Sequence, residues 1–69
     1  MVTELQRIRK AAGVTQVEAA VRAGVSPLTA RNFERFGEAA VEDEAKCASL
    51  VAVFAAFKVE AEQRGRSAA

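Results

Sequence analysis

Four glycines punctuate this chain of 69 residues: Gly13, Gly24, Gly37 and Gly65. Each follows a segment of helical periodicity, where a residue free to adopt the left-handed conformation stops a helix. Between them the commonest residue is alanine, sixteen in all, the strongest helix former. The β-branched or aromatic alternation of a strand is missing. The expectation is therefore an all-α chain of four helices. Their starts are as legible as their ends. Thr3 with Gln6 and Thr15 with Glu18 have capping-box spacing, and Ser26 before Pro27 sets an N-cap ahead of a proline at the first helical position. The pattern predicts three short helices, over about 4–12, 16–22 and 27–36, followed by one long C-terminal helix over about 41–63.

The long segment differs from the others. Glu42, Asp43 and Glu44 stand where negative charge favours a helix amino end, so this acidic run reads as a cap. Cys47, Leu50, Phe54, Phe57 and Ala61 fall within an arc of about 80°, a bulky stripe suited to packing on the first three helices. The neighbouring side carries only small apolar residues: Ala45, Ala48, Ala52, Ala55, Ala56 and Val59. A helix apolar around so much of its circumference calls for a second cover. The same helix of a second chain is the simplest one, because alanine lets helix axes approach closely. The expectation is a homodimer through those six residues. The competing explanation is that alanine is there for helix propensity alone.

Composition removes several classes of function. Without histidine, and with Cys47 as its single cysteine, the chain has no ligand set for a structural zinc, no internal disulfide and no nucleophile–imidazole pair. No enzyme, metal or cofactor is expected. The longest uncharged apolar stretch, Cys47–Phe57, is 11 residues long, against the roughly 20 that span a bilayer. The start at Met1 runs into Glu4, Arg7, Arg9 and Lys10 without the hydrophobic core of a signal peptide. A soluble, cytoplasmic protein with no membrane partner is expected. The net charge is +1, but residues 1–37 carry six basic and three acidic side chains, and residues 38–69 carry four and six. The basic first half points weakly to an anionic partner such as nucleic acid.

From Thr15 to Arg35 the chain reads TQVEAAVRAGVSPLTARNFER: a short helix, a glycine turn, and a second helix opening at Ser26. This segment resembles the helix-turn-helix of the Cro/C1-type phage repressors, also called the xenobiotic-response-element family. The resemblance covers residues 4–36, about half of the chain. It rests on Leu5 and Arg9, on Gly13 before Thr15-Gln16, on Ala20, on Gly24-Val25-Ser26 and on Glu34-Arg35. It implies a lambda-repressor-like domain with the helix-turn-helix at 15–36, to which the long segment at about 41–63 would add the dimerisation helix read above from its apolar face. It also implies a pair between Arg9 and Glu34 that locks the first helix to the third. Ala20 would lie where the two motif helices cross, and Gly24 would supply the positive φ of the turn. The chain departs from the family at Ala19 and Ala23, where leucine is usual, and at Val17 and Val21, where a charge is usual. Either the second helix is rotated or the fourth packs over those valines. Relatives also finish with two short helices in place of one uninterrupted segment.

With Ala30 and Phe33 turned inward, the third helix would present Pro27, Leu28, Arg31, Asn32 and Arg35 outward, the face that enters the DNA major groove in relatives. Arginine donates two hydrogen bonds to guanine, asparagine pairs with adenine, and leucine meets a thymine methyl. By resemblance, Gln16, Pro27, Leu28, Arg31 and Asn32 are candidate base readers, and Thr15 and Arg35 are candidate phosphate contacts. Arg7, Lys10 and Arg22 would add long-range attraction. The implied function is a sequence-specific transcriptional regulator, a dimeric repressor of its own or a neighbouring promoter, on a partly palindromic operator in double-stranded DNA. Small regulators of phages, mobile elements, restriction-modification operons and toxin–antitoxin pairs have this form. With the whole length taken by the motif and one long helix, no separate sensor domain is expected. The alternative is a protein-interaction module, such as an antitoxin or adaptor, that keeps the fold without sequence-specific DNA binding.

Overall fold

The computed structural model describes residues 3–68; Met1, Val2 and Ala69, part of the single domain read from the sequence, lie outside the described residues. In order along the chain are α1 (Glu4–Ala11), α2 (Gln16–Ala23), α3 (Pro27–Phe36), a 3-10 turn (Glu38–Ala40) and α4 (Glu44–Ala68). Among the described residues there is no strand. The domain is all-helical: α2 and α3 are joined by a tight turn, and the long α4 packs across α1 and α2.

Local chemistry sets most of the boundaries. The Thr3 hydroxyl accepts from the Gln6 amide at 3.2 Å while Gln6 Oε1 accepts from the Thr3 amide at 3.1 Å, a complete capping box. At α2 only half of the expected box forms. Thr15 Oγ1 accepts from the Glu18 amide at 3.2 Å, but the Glu18 carboxylate faces Arg22 one turn on, at 3.4 Å. Ser26 caps α3 through the Thr29 amide at 3.1 Å, with Pro27 at the first turn. Asp43 Oδ1 accepts from the Lys46 amide at 3.0 Å, so the acidic run does cap α4.

Both ends of α4 differ from the sequence expectation. The helix starts at Glu44 because the chain first makes the 3-10 turn and then runs extended at Val41, with φ −115° and ψ 109°. The half-buried Val41 side chain packs against the core there. At the other end Gly65 does not stop a helix; it lies inside α4, which continues to Ala68. Gly24 behaves as expected. Its φ of 70° lies in the left-handed region, and its amide closes α2 by donating to the Ala20 and Val21 carbonyls.

The core joins small residues from the first three helices to large ones from α4. Ala19, Ala20, Ala23 and Ala30 are buried where α2 crosses α3, and Ala20 is 1% exposed, as its place at the crossing requires. Against them lie Leu50, Phe54 and Phe57 of the bulky stripe, all buried, while Cys47 and Ala61 at its edges are half-buried. Phe33 of α3 meets Phe54 at 5.2 Å between ring centroids, and Phe54 meets Phe57 at 5.1 Å, both tilted in the manner aromatic rings favour. At 1.5 Å per residue the 25 residues of α4 run about 37 Å, nearly the 40 Å length of the molecule. Its far end is tied back by Arg64, whose Nη1 donates to the Ala12 carbonyl at 2.9 Å. Arg64 passes where a Cβ at Gly13 would be.

Two glycine substitutions should therefore act in opposite directions. A Cβ at Gly24 meets no atom within 4 Å, so Gly24→Ala tests backbone strain alone and should cost about 1–2 kcal/mol. Gly65→Ala, inside a helix, should add about 0.5–1 kcal/mol of stability. Urea denaturation of the two variants checks both signs.

Candidate nucleic-acid interface

The outward face of α3 is determined by what its inward face must hold. Ala30, Phe33 and Glu34 are buried, and Glu34 is 1% exposed despite its charge. Burying a carboxylate requires donors, and two helices, α1 and α2, supply them. Arg9 Nε of α1 donates to Glu34 Oε1, and Gln16 Nε2 of α2 donates to Oε2 at 3.1 Å. Arg9 Nη1 goes on to the Val14 carbonyl at 2.8 Å. The Thr3 hydroxyl, already the α1 cap, donates to the Glu34 backbone carbonyl at 2.7 Å. Among the described residues no buried side-chain nitrogen or oxygen lacks a partner. The Arg9–Glu34 pair thus forms as the resemblance implied, and it joins α1, α2 and α3 at one point.

Held this way, α3 leaves Pro27, Leu28, Arg31 and Arg35 exposed and Asn32 half-buried. Leu28 is 63% exposed, a large apolar side chain offered to solvent at the amino end of the helix. Arg31 and Asn32 form no ion pair or side-chain hydrogen bond among the described residues, so their donors are available to a ligand. Arg35 stacks its guanidinium over the Phe36 ring at 5.4 Å from the centroid. The stack fixes its direction and leaves its N–H edge open. Asn32 leans toward a cleft shared with Thr29, Val41, Glu42, Asp43 and Lys46. The outward face of α3 therefore has one cationic edge, at Arg31 and Arg35, and one mixed edge, where Glu42 and Asp43 stand with Lys46.

The α2 candidates are placed less simply. Thr15 is exposed at the cap, beside the free first-turn amides of α2. Gln16 is half-buried and committed through Nε2 to Glu34, so it acts first as a positioning side chain. That bond joins residues 18 apart in the chain, and no local spacing signals it. Arg22 is not a loose cation: it faces Glu18 at 3.4 Å and Glu60 of α4 at 3.5 Å, and its guanidinium lies 5.5 Å from the Phe57 ring centroid. Val17 and Val21 are 60% and 74% exposed, so α4 does not cover them. On α4, all six residues of the small apolar face, Ala45, Ala48, Ala52, Ala55, Ala56 and Val59, are exposed.

No group of three or more histidine, cysteine or acidic side chains is placed to hold a metal among the described residues, and no helix there is long and apolar enough to cross a membrane. No protein-family model, no curated protein and no solved structure matches this chain.

The side chains of Arg9 and Glu34 are 11% and 0% exposed, so breaking the pair strands a buried charge. Arg9→Met and Glu34→Gln should each cost about 3–5 kcal/mol of stability. Gln16→Ala, which removes one neutral donor, should cost about 1 kcal/mol. Thermal denaturation orders the three, and a loss under about 1 kcal/mol for Glu34→Gln would mean that the pair is solvated.

Proposed function

We propose that this chain is a sequence-specific DNA-binding regulator that reads the major groove with α3 and works as a homodimer through the exposed face of α4. The observation that carries the reading is the buried Glu34, bound from α1 and α2, which orients α3 so that unpartnered Arg31 and Asn32 stand on its outward face. Arg31 suits guanine O6 and N7, Asn32 suits adenine N6 and N7, and Leu28 suits a thymine methyl. Thr15 and the amino end of α2 suit a phosphate, as does Arg35. The resemblance of residues 4–36 to the Cro/C1-type repressors supports the same reading. By analogy with them, a bound dimer blocks a promoter, its own or a neighbour's, on a two-fold operator.

A second reading, a protein-interaction module such as an antitoxin or adaptor, draws on Val17 and Val21, an exposed apolar pair one turn apart on α2, and on the net charge of only +1. It expects no sequence preference on DNA even at low salt.

The deciding experiment selects bound duplexes from a random pool and then measures affinity for each single-base variant of the preferred site. Arg31→Ala should relax the preference at one base pair by about 1–3 kcal/mol and leave the other positions unchanged. Arg35→Ala should weaken all sequences alike and reduce the salt slope by about 1. A preference that survives Arg31→Ala at every position would overturn base reading by this residue.

A further inference from the structure

An open apolar groove of about 390 Å³ runs between α1 and α4, floored by Leu5, Ile8 and Phe54 and edged by Val51. Its rim is charged with opposite signs, Glu38 near the start of α4 and Lys58 two turns past Val51. Val51 is 42% exposed beside it. Along this flank the α4 residues are Glu44, Ala48, Val51, Ala55 and Lys58, spaced four, three, four and three, the repeat that keeps a seam facing a partner helix. All five are exposed. Glu44 and Lys58 form no ion pair or side-chain hydrogen bond among the described residues.

We propose that this groove seats the α4 of a second copy of the chain, antiparallel, with Val51 on the two-fold axis and Glu44 of each copy paired with Lys58 of the other. In a two-fold interface, if residue i meets residue j, then j meets i. Glu44 and Lys58 are each seven residues from Val51, so an antiparallel pairing centred there brings each acid to a base on both sides and sets Ala48 within one residue of the partner's Ala55. A parallel pairing would instead oppose Glu44 to Glu44 and Lys58 to Lys58. The charges therefore select orientation and register, which the face opposite the core cannot do: its Ala45, Ala52, Ala56 and Val59 carry no charge. The proposal deepens the dimeric part of the reading above and rests on it. It moves the centre of contact from that opposite face to the flank beside α1.

Sedimentation at low salt provides the test, with the full chain and with Glu44→Lys and Lys58→Glu, both at exposed positions. The unaltered chain should dimerise, each variant alone should dimerise roughly tenfold more weakly, and an equimolar mixture should recover the original affinity, because the mixed pair restores both acid–base contacts. The differences should shrink in high salt. A second measurement is independent of charge: in a Cys47→Ser background, Ala48→Cys mixed with Ala55→Cys should form a disulfide between the two variants, and neither should crosslink to itself. A monomeric chain, variants that dimerise like the original, a mixture no stronger than its components, or self-crosslinking would each overturn the pairing. Sequence-dependent DNA binding by a monomer would overturn the pairing and leave DNA reading standing; an intact antiparallel dimer without DNA binding would do the reverse.

Discussion

Three helices of this domain converge on one carboxylate, and the direction of the fourth face, the one turned to solvent, follows from that convergence. The contact between α2 and α3 is built from Ala19, Ala20, Ala23 and Ala30, whose methyl groups bury apolar area without directionality. Alanine against alanine permits sliding and rotation at little cost. Glu34 does not permit them, because its two oxygens must stay within reach of Arg9 on α1 and Gln16 on α2. Thr3 adds a third constraint through the backbone carbonyl of the same residue. A buried ion pair adds little net stability over a well-packed apolar substitute. What this one supplies is register, since a rotation of α3 that turned Arg31 away from its present direction would strand the Glu34 charge.

The second constraint is how volume is distributed. A chain of 69 residues buries a modest share of its surface, and here the large buried side chains are few: Leu50, Phe54 and Phe57 on α4, with Phe33 on α3. Small residues let α2 and α3 cross closely, and the aromatic side chains fill the space that α4 encloses beneath them. Beyond Phe57 the contact changes character. Glu60 faces Arg22, and Arg64 reaches the Ala12 carbonyl, so the distal half of the rod is held by polar contacts to α1 and α2. This is why Arg22, which by sequence looked like a free cation, is bound within the domain.

Features settled within four residues were legible in the sequence. Thr3 with Gln6, Ser26 with Pro27, and Gly24 each determine a helix boundary through hydrogen bonds or backbone sterics that local spacing describes, and the inward Ala30 and Phe33 follow from the helical period. Gly65 shows where that logic fails. Glycine tolerates the left-handed conformation, but a helix ends there only if a turn rewards it, and after Gly65 no such turn competes with continued helix. The delayed start of α4 was illegible for the opposite reason. No glycine or proline marks residues 41–43, and the extended backbone at Val41 is set by packing of its side chain against the core. The tie from Gln16 to Glu34, like that from Arg22 to Glu60, depends on tertiary placement and has no local signature.

Charge placement narrows how the proposed reading must operate. A net charge of +1 gives weak long-range steering, so affinity for a polyanion must come from contacts at short range. The two edges of α3 are not equivalent in this respect. On one lie Arg31 and Arg35; beside Asn32 on the other lie Glu42 and Asp43 with a single compensating cation, Lys46, so this edge is less favourable to phosphate than the arginine edge. In that reading a duplex would lie with its backbone toward Arg35 and its base edges toward Leu28, Arg31 and Asn32. The acidic run that begins α4 thereby has two consequences from one placement: it ends the extended segment by capping the rod, and under the proposed reading it makes the two edges of α3 unequal toward a polyanion.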